Sequence, residues 1–259
     1  MDMQSSNPTL NSNIITKSRA SLGSGQVMTV QGTVNKTFVL FGILFLTALW
    51  SWNYAANAQT QAALTGSGAG SVGLIVMVSA IAGLILALVT SFKPVWSAVT
   101  APLYAACEGV LMGAISVMFE RSYPGIVIQA LGLTFSCLFV MLVAYRTGWI
   151  QATEGFRRGM MIAMISLMAF YGIVWIASLF GVHPPAFING GGILGIGFSL
   201  FVVGLATMSL ILDFDLIERS AQEGLEKYME WYGGFALMVT LVWIYMEMLR
   251  LLSKLRGRD

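Results

Sequence analysis

Five carboxylates stand in or beside apolar stretches of this chain: Glu108, Asp213, Asp215, Glu230 and Glu247. Holding a charge at the centre of a bilayer costs on the order of 3 kcal/mol or more. Acids kept in such places serve to pair, to anchor or to handle ions. A carboxyl in a low-dielectric setting favours its neutral form, so it can hold a proton near neutral pH, and a nearby lysine or second carboxylate sets the switch point. That is the chemistry of proton-coupled gates and cation pathways. Each acid also has a plainer role open to it. Asp213 and Asp215 border a charge-dense run and fit solvated residues at a helix end. Glu247 is placed to pair with Arg250 three residues on. Glu108, the deepest, fits a hydrogen-bond anchor for Thr100, Tyr104 or another helix.

The surrounding chain explains why these acids are few. Of 259 residues, 57% are hydrophobic and 10% charged, where soluble domains carry roughly 45–50% and about 25%. So little charge cannot cover a water-facing surface, and the chain reads as an integral membrane protein. Fourteen basic and twelve acidic residues leave a net charge of +2, which excludes the concentrated basic face that nucleic acid requires. Cys107 and Cys137 both lie in apolar runs, excluding a disulfide framework, a zinc knuckle and a CxxC redox site. The single histidine, His183, excludes a His-rich metal centre. Beside Pro184 and Pro185, it reads as a solvated loop residue, although its ordinary pKa would suit a sensor.

Other motifs lose their chemistry to context. Gly190-Gly191-Gly192-Ile193-Leu194-Gly195 fits GxGxxG, but links two apolar segments, with no preceding strand to hold a dinucleotide. Gly197-Phe198-Ser199 is not a nucleophile elbow, and no histidine lies in an apolar segment to serve as base. An enzyme is therefore not expected. Gly109 and Gly113 form GxxxG, the pattern of close helix packing. The sixteen methionines are scattered and read as packing residues.

No charge occurs from Thr37 to Phe92, from Ser122 to Tyr145, or from Gly159 to Leu212. A spanning helix needs about 20 apolar residues at about 1.5 Å each. Loop signals cut the blocks into seven segments near 37–56, 72–92, 98–119, 124–145, 158–180, 193–213 and 232–252. Their continuous apolar character requires helices rather than barrel strands. The expected fold is thus an all-α membrane bundle of seven transmembrane helices spanning residues 35–255, preceded by a flexible polar tail, residues 1–34. Ala56-Asn57-Ala58 has the form of a cleavage site, but the apolar run before it is too long for a signal peptide.

Basic residues set the orientation. With the N-terminus in the cytoplasm, nine of them fall on the inner side (Lys17, Arg19, Lys36, Lys93, Arg146, Arg157, Arg158, Arg219 and Lys227) and only Arg121 falls outside before the last helix. Arg250, Lys254, Arg256 and Arg258 break the pattern if the seventh segment crosses fully. Crossing is expected from its length, with re-entry the other option.

The chain from about residue 30 to 255 resembles a known family, first recognisable at its carboxyl end. Ser209-Leu210-Ile211-Leu212-Asp213-Phe214-Asp215-Leu216-Ile217 is similar to the end of the sixth helix in the transmembrane Bax inhibitor motif family. Tyr245-Met246-Glu247-Met248-Leu249-Arg250-Leu251-Leu252 resembles that family's last-helix ending, and Glu108 to Ser116 its "EGxxLGxIS" helix. Tyr123 to Val127 and Ala130 to Phe135 resemble the helix that follows. Lys227 to Phe235 looks like a bacterial branch. The resemblance implies a bundle whose last helix is central and surrounded by the other six. It also implies a pH-sensitive calcium leak sensed by an aspartate pair with a basic latch, and in eukaryotes suppression of cell death. Carried over, the first aspartate is Asp213, and Lys93 falls beside the latch. Thr240 occupies the second aspartate position. An Asp213–Lys93 pair would still form a latch, and protonating Asp213 would break it.

Together these readings give a pH-modulated cation leak in a bacterial inner membrane. Its gate is Asp213 with Lys93, and its pathway candidates are Glu108, Asp215, Glu230 and Glu247. Calcium is expected only as the permeant ion, not as a cofactor. The lipid bilayer is the one sure partner. The rival reading is a non-conducting regulator that binds another membrane protein, such as a quality-control protease, through the tail, the GxxxG face or the charged sixth loop. A proton-coupled transporter would call for internal repeats, and none is evident.

Overall fold

The computed structural model describes residues 27–65, 69–181 and 192–257, with positions 183, 185, 188 and 190 between the last two stretches. The described residues form seven long helices: α1 (Val30–Thr65), α2 (Ala69–Phe92), α3 (Ser97–Ser122), α4 (Ile126–Arg146), α5 (Glu154–Leu179), α6 (Ile193–Gln222) and α7 (Met229–Arg256). All seven are long and apolar enough to cross a membrane. No strand occurs among the described residues; Val27 and Glu226 make an isolated bridge. The chain is therefore an all-α, multi-pass membrane protein. The tail expected over residues 1–34 lies mostly outside the described residues. The first helix starts earlier than expected, and Met28 and Thr33 are buried. α1 also runs unbroken through Ala56-Asn57-Ala58.

α7 forms the axis. It packs on α1, α3, α4 and α6, and over half of its apolar span is buried, against 11% for α2 and for α5. Leu210, Ile211, Ile244 and Leu249 are fully enclosed where α6 meets α7, and Met238 is enclosed on the side of α7 that faces α1 and α3. The six-helix surround is thus incomplete: α2 leans mainly on α3, and α5 on α6. Small residues permit the tightest approaches. A Cβ at Gly109 would strike the Leu44 carbonyl and the Thr47 hydroxyl, and one at Gly113 would strike the Ala48 carbonyl. The GxxxG pair therefore seats α3 against the α1 backbone.

Caps and turns fix the ends. Between α3 and α4, Tyr123-Pro124-Gly125-Ile126 makes a tight turn, closed by Ile126 N–H donating to Tyr123 O at 3.1 Å. Gly125 there adopts φ 81°, which suits glycine at the third position of a type II turn. Glu120 accepts from the Gly125 and Val127 amides at 2.6 and 3.2 Å, capping α4.

The basic carboxyl end also finds its explanation. α7 is a continuous 28-residue helix, long enough for a full crossing. Arg250 pairs with Glu247 at 2.7 Å. The Lys254 ammonium donates to Ile188 O, Gly195 O and Ser199 Oγ at 2.6, 3.1 and 2.8 Å. Arg256 donates to Pro124 O and Gln129 Oε1. Three of the four basic groups that break the charge bias are thus tied to the bundle.

Candidate ion-handling site

α6 and α7 place the first part of the site. Asp213 lies nine residues before the end of α6, and its carboxyl meets the Thr240 hydroxyl of α7. The Oδ2 atom of Asp213 is buried and has no hydrogen-bond partner. Thr240, at the position where the resemblance would put a second aspartate, thus faces Asp213 and supplies a hydroxyl rather than a carboxylate. Lys93 does not form the expected latch. Its ammonium lies 4.8 Å over the Trp96 ring, and no ion pair joins it to Asp213 among the described residues. The cause is local: the Pro94–Trp96 turn that follows brings an indole face beside the lysine, and a cation over an aromatic face is itself favourable.

The second part of the site lies further along α7. A cavity of about 430 Å³ is lined by Tyr104 and Glu108 of α3, Tyr171 of α5, and Val239, Val242, Trp243, Met246, Glu247 and Arg250 of α7. The α7 residues follow i, i+3, i+4, i+7, i+8, i+11, which is one face of a helix. Glu108 accepts from the Tyr104 hydroxyl, and Gly83 of α2 leaves room beside its Oε2. Glu247 bonds the Arg250 guanidinium and the Trp243 indole. The cavity lies between Tyr171 of α5 and the Val239–Arg250 face of α7, while α5 packs on α6. Thr240 and Glu247 lie seven residues apart on nearly the same side of α7, about 10 Å along its axis. The buried aspartate and the cavity therefore share one stripe of the central helix.

The remaining candidates are held elsewhere. Asp215 is clamped by Arg157 at 2.8 Å and by Arg219 at 3.1 Å. Glu230 is buried at the start of α7, where its Oε1 accepts from the Thr29 amide and hydroxyl at 3.2 and 3.1 Å. Thr29 in turn accepts from the Gly32 amide at 2.9 Å, so the acid supports the start of α1. His183 is exposed. In the glycine run, Gly192 precedes α6 in an extended conformation, with no strand before it among the described residues. The described residues hold no cluster of three or more His, Cys, Asp or Glu able to bind a metal.

Sequence reasoning did not single out Tyr171, Trp243 or Arg250 as cavity residues, nor Arg157 as the partner of Asp215. The Val239-to-Arg250 face carried a signal for the first group. The Arg157–Asp215 clamp carried none, since 58 residues separate its members.

A seven-helix bundle of apolar helices with a buried axial helix defines a polytopic membrane protein. Residues 7–257 match the family model described as Bax inhibitor 1 like. The chain belongs to that family. Neither a curated protein nor a solved structure matches it.

Proposed function

We propose that the chain is a pH-modulated cation leak channel, with calcium as a permeant ion, in a bacterial inner membrane and with its N-terminus in the cytoplasm. The observation that carries this reading is the cavity bearing Glu108 and Glu247 between α3, α5 and α7, with Asp213 of α6 buried against Thr240, two turns before Glu247 on α7. A roomy, carboxylate-bearing cavity suits a hard cation that prefers oxygen ligands. Asp213 closes the path by packing against Thr240, and a change in its protonation alters that contact. Lys93 takes no part in this closure. Asp215 and Glu230 hold helices together rather than line the path. Orientation rests on the excess of basic residues at the end where the N-terminus lies.

Calcium uptake by liposomes containing the full chain tests this. The wild type takes up calcium faster than empty liposomes, and Glu108→Gln lowers the rate. Folded protein that gives no flux above empty liposomes contradicts the channel and leaves the regulator that binds another membrane protein.

A further inference from the structure

The mouth of the cavity carries a cation of its own. The Arg250 Nη1 sits 2.7 Å from Glu247 Oε1, and the two side chains differ sharply in exposure, 47% against 4%. A long side chain with an exposed head can leave a carboxylate that cannot follow it. One turn further along α7, Lys254 is fixed by three oxygen acceptors, so it is not free to replace Arg250. The other polar groups facing the cavity are Glu108, Tyr104, Tyr171 and the Trp243 indole, while the Lys254 charge acts on Glu247 from outside the lining. When all charged groups are ionised, two carboxylates and one guanidinium give the cavity one net negative charge.

We propose that Arg250 is a specificity-determining residue: a tethered counter-cation that offsets Glu247 and sets which ions the cavity admits. This rests on the leak reading and deepens it. With Arg250 seated, the cavity favours cations only modestly and gives divalent ions little advantage over monovalent ones. Removing the guanidinium doubles the net negative charge and favours divalent ions. Removing the Glu247 charge leaves Arg250 balanced by Glu108 alone and ends the preference for cations over anions.

The test compares wild type, Arg250→Gln, Arg250→Lys and Glu247→Gln. Reversal potentials in planar bilayers are read with calcium, potassium and chloride gradients. Arg250→Gln raises the calcium-to-potassium permeability ratio by about fivefold, the Boltzmann factor for one unit charge a few ångströms away in water. Arg250→Lys keeps the wild-type ratio, because it keeps the charge. Glu247→Gln lowers the cation-to-chloride ratio. A second readout needs no conduction. Trp243 lines the cavity, so its fluorescence, taken as the difference from Trp243→Phe, reports caesium and iodide entry. Caesium quenching rises in Arg250→Gln, and iodide quenching rises in Glu247→Gln. Conduction with the same ion preferences in all four proteins overturns the role of Arg250 while leaving the leak intact. No conduction in the wild type overturns the leak, and Arg250 selectivity with it. Quenching that is identical across the variants also overturns the proposal.

Discussion

Asp213 and Glu247 are carboxylates in neighbouring helices of one bundle, yet the fold treats them differently. Asp213 meets one neutral hydroxyl, and its other oxygen has no partner. Glu247 has a guanidinium and an indole as partners and faces a cavity with room for water. A buried acid held by one hydroxyl is costly and responsive, because a proton changes its whole setting. An acid with a tethered cation has an opposite charge set beside its own. On the proposed reading the difference separates two tasks: Asp213 changes state, and Glu247 offers charge to a passing ion. Asp215 and Glu230 complete the contrast, since their partners use them to fasten helices.

That division can be broken at several points, taken here from the largest expected effect down. Replacing both cavity acids, Glu108→Gln with Glu247→Gln, leaves Arg250 as the sole charge there. Calcium uptake by liposomes then falls to the level of empty liposomes, while a single replacement leaves a measurable rate. Gly109→Leu drives a side chain into the Leu44 carbonyl. Overpacking of this kind costs about 1–3 kcal/mol, and thermal unfolding in detergent should show the upper end of that range. Asp215→Asn weakens a clamp whose partner is one-fifth exposed. The expected loss is about 1.5–3 kcal/mol, as for hydrogen bonds to charged groups, with pH-dependent flux retained. Thr29→Ala removes the cap of α1 and one Glu230 bond, costing about 1 kcal/mol, also with flux retained. Loss of pH dependence in either of the last two variants would erase the line between fastening acids and the sensing acid.

The fold was legible where it depended on local composition. Charge-free runs marked seven helices, because burying a spanning segment in lipid demands continuous apolar sequence. The start of α1 was missed because Gln31, Asn35 and Lys36 dilute that signal. What holds this end is distant: Glu230 reaches Thr29 across 201 residues. The same limit hid the Lys254 cage, whose acceptors are two backbone carbonyls and a serine from the 188–199 region. Carbonyl oxygens carry no residue-type signature. The Glu247–Arg250 pair was readable, being three residues apart on a helix. The Asp213–Lys93 latch was not realised, because spacing along the chain says nothing about an indole that competes for the ammonium.

The most direct test of the account is calcium uptake into liposomes across about pH 5–8, with wild type beside Asp213→Asn. The account predicts a rate that changes with pH in the wild type and is flat in Asp213→Asn, with calcium still crossing. A pH dependence that survives Asp213→Asn unchanged, in folded protein, would contradict Asp213 as the group that changes state.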